Sequence, residues 1–138
     1  MISVRKQEVV KLEDVLHLYQ AVGWTNYTHQ PQMLEQALSH SLAIYMALDG
    51  DAVVGLVRLV GDGFSSVFIQ DLIVLPCYQR QGIGSNLMKE ALGDYKDAYQ
   101  VQLVTEQTEK TLGFYCSLGF ETLSTFDCTG MIWVDRKR

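Results

Sequence analysis

Apolar positions along this chain fall into two rhythms, one of period near 3.6 and one of short strand-like runs. Together they predict an α+β fold. Ile2 to Gln7 has the length and content of a short strand. Leu12, Val15, Leu18, Tyr19 and Val22 recur at helical spacing, and Gly23 supplies the stop. Trp24 to Gln30 is polar and aromatic and is expected as a loop, after which Pro31 opens a second helix with Leu34, Ala37 and Leu38 on one face. Apolar runs from Leu42 to Leu48 and from Ala52 to Val60 flank Asp49-Gly50-Asp51, a strong local hairpin signal. A second polar turn, Gly61-Asp62-Gly63, leads into Val67 to Leu75, apolar enough to predict a strand covered on both faces, and Pro76 ends it. Ile83, Leu87, Met88, Ala91, Leu92 and Tyr95 form a helical stripe, followed by a strand at Val101 to Val104 and a helix at Thr111 to Ser117 that Gly119 can terminate. Phe120 to Leu123 and Met131 to Val134 are predicted as closing strands. The predicted order is therefore β-α-α-β-β-β-α-β-α-β-β.

Composition narrows the function classes. A chain of 138 residues with no repeat or linker is expected to be one domain spanning 1–138. Its 48% hydrophobic and 20% charged content excludes a disordered chain. A net charge of −5 offers no footprint for a phosphate backbone, so nucleic acid is not expected as a partner. No apolar stretch approaches the ~20 residues of a membrane helix, and the opening Met-Ile-Ser-Val-Arg-Lys-Gln-Glu has no apolar signal core, so no membrane role is expected. Cys77, Cys116 and Cys128 form an odd set without a CxxC, which points to a reducing, cytoplasmic setting. His17, His29 and His40 lack metal-ligand spacing, and no metal is expected.

Chemistry concentrates in Leu72-Ile73-Val74-Leu75-Pro76-Cys77-Tyr78-Gln79-Arg80-Gln81-Gly82-Ile83-Gly84-Ser85. A buried strand ends, a short arm turns, and a helix begins with two glycines at its start. The first N–H groups of a helix have no internal partners and sit at the positive end of its dipole. Gly82 and Gly84 remove side chains that would block a phosphate, so the amides of Gln81 to Ser85 can ring an anion, with Arg80 adding charge. No GxxxxGK[ST] is present, which excludes a Walker-type loop. A dinucleotide fingerprint would need a third glycine where Leu87 stands; Glu106, placed to imitate its ribose-binding acid, keeps that alternative open.

Gln79-Arg80-Gln81-Gly82-Ile83-Gly84 resembles the Q/R-x-x-G-x-G/A acyl-CoA signature of the GNAT N-acetyltransferase superfamily. Val74-Leu75-Pro76-Cys77-Tyr78 is similar to the family's strand-then-V-x-P-x-Y arm, and Leu112 to Phe120 to its L-Y-x-x-L-G-F segment. The resemblance spans roughly residues 42–134. It implies a mixed, mostly antiparallel twisted sheet flanked by helices and splayed between the fourth and fifth strands. It also implies acetyl-CoA as cosubstrate, its pantetheine arm pairing with the backbone of Leu72, Ile73 and Val74 and its pyrophosphate on Gln79, Arg80, Gln81, Gly82, Ile83, Gly84 and Ser85. Tyr115 then matches the family's tyrosine that protonates the departing thiolate. The family's asparagine seven residues earlier is Thr108 here, which can bond the arm or cap a helix.

On the acceptor side, Asp71 is a carboxylate inside an apolar run, costly to bury unless paired and so a candidate base, alone or through a water chain. Trp24 and Tyr27 could stack on an aromatic or cationic amine, and Asp62 could hold a positive charge. The activity these residues imply is acetyl transfer to a small-molecule primary amine. The alternative is a non-catalytic acyl-CoA-binding or regulatory module on the same fold. The C-terminal strands offer a route to a homodimer, though no residue in the sequence specifies one.

Overall fold

Strand-forming runs and their turns assemble as the apolar pattern predicts through residue 103. The structure is a computed structural model and describes residues 1–134. The chain divides into two compact units, residues 1–103 and residues 104–138.

In the first unit, β1 (Ile2–Gln7), β2 (Ala43–Asp49), β3 (Ala52–Gly61), β4 (Ser66–Val74) and β5 (Gln100–Leu103) form one sheet in the order β1-β2-β3-β4-β5. The first four pair antiparallel, and β5 pairs parallel to β4. Helices α1 (Leu12–Ala21), α2 (Thr25–Thr28) and α3 (Pro31–Ser39) precede β2, and α4 (Ile83–Asp94) joins β4 to β5. The segment expected as a loop after Gly23 thus contains the short helix α2.

Alternation sorts the strand residues between two layers. Ile44, Met46, Leu56 and Ile73 pack with Val15, Leu18 and Tyr19 of α1 and Leu34 and Leu38 of α3. Ile83, Leu87, Met88 and Ala91 make the buried stripe of α4. A β-carbon on Gly55 would lie 2.9 Å from the Ile73 carbonyl oxygen and 3.3 Å from Leu87 Cδ1, so the missing side chain lets α4 settle on the sheet. Tyr45 donates a hydrogen bond of 2.6 Å to Asp94 of α4.

One irregularity organises β4. Leu59 faces Ile69 and Arg58 faces Asp71, leaving Gln70 as an extra, bulged residue. Ile69 and Asp71 would share a face in a regular strand; the bulge sends them to opposite faces. Pairing with β5 covers Ser66 to Ile69 and ends there. From Gln70 to Val74 the strand is bonded within the sheet to β3 alone, which is the predicted splay.

The second unit carries α5 (Glu109–Ser117) and a 3₁₀ turn at Leu123–Phe126. Of the two closing strands expected here, neither forms among the described residues. From Thr122 the chain turns instead of extending: Thr125 N–H bonds the Thr122 carbonyl at 3.1 Å, and Thr122 Oγ1 lies 2.9 Å from Ser124 Oγ. Met131 to Val134 lies outside any sheet. Among the described residues no helix is long and apolar enough to cross a membrane.

Two turn glycines separate steric from conformational need. Gly61 has φ 124 and an added β-carbon would overlap the Ser66 carbonyl oxygen, whereas Gly50 has φ 61 with nothing within 4 Å. Gly61→Ala should therefore cost about 3 kcal/mol of stability and Gly50→Ala about 1 kcal/mol, as read by urea unfolding. Equal losses would contradict this account.

Candidate functional site

Two features of the first unit meet at the end of β4. After Val74 the chain passes through a 3₁₀ turn, Pro76–Tyr78, whose Tyr78 hydroxyl donates to Asp49 Oδ2 at 2.6 Å and ties the arm to the β2–β3 hairpin. Gln79 then donates its side-chain amide to the Val74 carbonyl at 3.0 Å. Arg80 is held at φ 66 and Gly82, the residue before α4, at φ 79. A non-glycine residue in the left-handed region is a strained choice, and such strain gathers at functional loops.

The α4 N-terminus has no side-chain cap, and the first bond of its ladder runs from Asn86 N–H to the Gly82 carbonyl at 3.0 Å. The N–H groups of Ile83, Gly84 and Ser85 come before that bond and have no intrahelical acceptor. Ile83 buries its side chain in the core, so only its backbone faces a ligand. Gln79, Arg80, Gln81 and Gly82 are exposed. These groups fit a pyrophosphate: several convergent donors, a helix dipole and one guanidinium. Leu72, Ile73 and Val74 lie in the stretch of β4 that has lost β5, an open edge suited to an extended arm.

On the α1–α3 side of the same strand, Asp71 is 3% exposed and Arg58 4%. Arg58 Nε donates to Asp71 Oδ2 at 2.7 Å, and Tyr19 donates to the same oxygen at 2.9 Å. Tyr27 donates to Oδ1 at 2.9 Å, and Arg58 Nη2 reaches the Tyr27 oxygen at 3.2 Å. Arg58 Nη1 also reaches Ser41 Oγ at 3.2 Å. Burial first, and then the neighbouring Asp71 charge, push both tyrosine hydroxyls above their ordinary pKa, so both stay protonated donors. Three hydrogen bonds to ionised or polar donors hold this carboxylate in place.

Trp24 joins this cluster through the end of α1. Gly23, at φ 71, donates to the Gln20 carbonyl at 3.1 Å, and Trp24 N–H to the Tyr19 carbonyl at 3.1 Å. That is a Schellman cap, and it lays the Trp24 ring 6.1 Å from the Tyr19 ring. Tyr27 lies 5.0 Å from Tyr19. Trp24, Tyr27 and Asp71 are thus brought together. Asp62 is elsewhere, in the turn before β4, where its Oδ1 accepts from the N–H groups of Phe64, Ser65 and Ser66 and its Oδ2 from the Ser65 hydroxyl. Those bonds, the Ser65 hydroxyl foremost, hold its carboxyl below the usual range.

Sequence reasoning did not single out Tyr19, Arg58 or Gln70. Arg58 carried the same signal as Asp71, a lone charge inside an apolar run. Nothing in the alternation marked the bulge at Gln70.

In the second unit, Thr108 caps α5, its Oγ1 accepting from Thr111 N–H at 3.1 Å. Tyr115 is half-buried between Phe114, at 5.0 Å, and Phe120, at 5.9 Å. The same cap recurs: Gly119 N–H bonds the Cys116 carbonyl at 3.0 Å and Phe120 N–H the Tyr115 carbonyl at 3.1 Å. Burial raises the Tyr115 hydroxyl above its ordinary pKa.

Residues 7–134 match the family model described as an acetyltransferase (GNAT) domain, across both units. The chain is 79% identical to a GNAT-family acetyltransferase of Streptococcus pneumoniae TIGR4, with a TM-score of 0.92 over 99% of each chain. It is 29% identical over 122 residues to an uncharacterized ycf52-like N-acetyltransferase of Prochlorococcus marinus, covering 86% of this chain and 65% of that protein. This chain therefore spans just under two-thirds of that curated relative. Its fold is also similar to that of PaiA N-acetyltransferase from Thermoplasma acidophilum, solved in complex with coenzyme A, at 18% identity and a TM-score of 0.67, covering 86% of this chain and 90% of that one. An open β4 edge leading into an uncapped, glycine-flanked helix start, together with these matches, places the chain in the GNAT acetyltransferase family.

Proposed function

We propose that this chain is an N-acetyltransferase that uses acetyl-CoA and acts by direct transfer to a primary amine. A small molecule is favoured over a protein as acceptor. The observation that carries the reading is the pairing, within one unit, of the uncapped α4 N-terminus with a β4 edge free of its neighbour beyond Ile69. The coenzyme A in the Thermoplasma acidophilum structure of the same fold supports the choice of donor.

When bound, acetyl-CoA supplies the activated thioester on which the amine nitrogen forms its new C–N bond as the C–S bond breaks. The backbone N–H groups of Ile83, Gly84 and Ser85 hold the pyrophosphate, with Arg80 beside them. Backbone groups of Leu72, Ile73 and Val74 pair with the pantetheine arm. An N–H there aimed at the thioester oxygen would be worth about 3 kcal/mol in the transition state. Thr108 uses its hydroxyl as the α5 cap and offers the arm little else.

Tyr115 donates its proton to the departing sulfur. Its raised pKa keeps that proton in place throughout the neutral range. On the acceptor side, an alkylamine with pKa near 10.4 costs about 4 kcal/mol to deprotonate at pH 7.4. Both oxygens of Asp71 already accept hydrogen bonds from Arg58, Tyr19 and Tyr27. That engagement favours a water chain as the route for the amine proton, with Asp71 fixing the aromatic faces of Trp24 and Tyr27 against which the amine binds.

Release of free thiol from acetyl-CoA across a panel of small amines and peptides tests the assignment. Coenzyme A binding without turnover on any acceptor would leave the non-catalytic module in its place.

Tyr115→Phe should lower kcat about 100-fold with the KM for acetyl-CoA within twofold. In the wild type, activity that needs the protonated phenol is lost only as pH rises through a pKa above the usual ~10. A kcat profile that falls between pH 7 and 9 would remove the role.

Asp71→Asn should lower stability by about 3 kcal/mol, because it leaves Arg58 buried without its counter-charge. The folded variant should keep at least a tenth of wild-type kcat. A thousandfold loss in a variant still folded by circular dichroism would make Asp71 the base.

A further inference from the structure

One hydrogen bond at the end of β4 stands where a bound ligand needs a bond of its own. Leu75 N–H donates to the Val54 carbonyl at 2.9 Å, so Leu75 turns its N–H toward β3. Successive residues of a strand turn their main-chain groups to opposite sides. Ile73, across from Leu56, therefore also faces β3, and Leu72 and Val74 turn their N–H and C=O groups the other way. That is the side from which β5 is lost after Ile69. Within the 72–74 stretch, the backbone groups on the ligand side are those of Leu72 and Val74.

The Val74 carbonyl is already engaged, because Gln79 Nε2 donates to it at 3.0 Å. The 3₁₀ turn makes this contact possible. Tyr78 N–H bonds the Leu75 carbonyl at 2.8 Å and Gln79 N–H the Pro76 carbonyl at 3.3 Å, which reverses the chain and returns Gln79 to the strand it has just left. Gln79 is exposed and Val74 half-buried, so a ligand can reach the bond. A glutamine side chain ends in a carboxamide, the same kind of group that a pantetheine arm carries twice. An unpaired edge carbonyl invites stray strands, and this internal donor blunts it.

Resting on the acetyl-CoA reading above, we propose that Gln79 is a placeholder for the cosubstrate: its carboxamide holds the Val74 carbonyl in the free chain and yields it to an amide N–H of the arm on binding. Gln79 is then a specificity-determining residue, since a ligand must bring its own amide to displace the side chain. A nucleotide with pyrophosphate alone reaches the α4 start and leaves the bond intact. One N–H···O=C bond replaces another, and affinity is lowered by the fraction of chains in which the carbonyl is held. For a single net hydrogen bond that is a factor of about two to ten.

Calorimetric titration of the full chain with acetyl-CoA and with ADP tests this, using Gln79→Met and Gln79→Ala, which keep the backbone and lose the donor. Both variants should bind acetyl-CoA about fivefold tighter than wild type and ADP within about twofold. A loop merely loosened by the substitution would shift both ligands alike, and that result overturns the proposal, as does acetyl-CoA affinity that is unchanged or weaker. Wild type that takes up no acetyl-CoA would defeat the acetyl-CoA reading and the placeholder with it; uptake by wild type without tightening in the variants defeats the placeholder alone. Should either variant misfold, magnetic resonance on wild type decides. The Gln79 side-chain amide protons should exchange with water faster on adding acetyl-CoA and not on adding ADP, and a rate that acetyl-CoA leaves unchanged overturns the displacement.

Discussion

A buried guanidinium bonded to a buried carboxylate sets the terms for the rest of the first unit. Arg58 on β3 and Asp71 on β4 are cross-strand partners within the sheet. Desolvating two charges gives back most of what their attraction gains, so the pair is weak evidence for stability in itself. What it provides is position. The remaining valences of the carboxylate go to Tyr19 on α1 and Tyr27 on α2, and those of the guanidinium to Tyr27 and Ser41. The helical layer is thereby registered on the sheet at one point, beside the stretch of β4 that lacks β5. Apolar packing alone fixes such a register less sharply, because neighbouring apolar contacts are near equivalent.

That pairing depends on one surplus residue. Without the bulge at Gln70, Asp71 would project to the same face as Ile69, into the α4 layer, and Arg58 would lose its partner. The bulge also coincides with the last residue pair of the β4–β5 ladder, Ile69 with Leu103. A bulge bends its strand and increases its twist. The same local event therefore coincides with the loss of β5 from the β4 edge and aims the carboxylate at the opposite layer. Strand divergence and site electrostatics in this chain meet at one backbone irregularity.

How much of this could be read from residues alone follows from the range of each interaction. The α4 start was legible because its determinants are local: two glycines, a preceding arginine and a proline-ended strand lie within ten residues. Asp71 stood out because a lone carboxylate in an apolar run needs a partner, but the partner could not be named, since Arg58 lies thirteen residues away across a turn. Tyr19 looked like one more core position, and its hydroxyl is a donor only once α1 lies over β4. Asp62 was legible as a charge and not as a turn-former, although Asp before Gly-Phe-Ser-Ser favours side-chain bonds to the backbone that follows. At 120–123 the apolar content was visible, while the main-chain turn from Thr122 to Thr125 that takes its place shows only in the geometry.

The repeated helix cap at Gly23 and Gly119 has a consequence for sequence tolerance. Each glycine reverses the chain so that the next aromatic returns onto a tyrosine one turn back, Trp24 on Tyr19 and Phe120 on Tyr115. A β-carbon added at either glycine would meet nothing within 4 Å beyond its chain neighbours. Volume is thus no barrier at these positions, and the sign of φ is the whole constraint. In a saturation library selected for folding, both sites should fill with glycine and asparagine, and reject alanine as firmly as leucine.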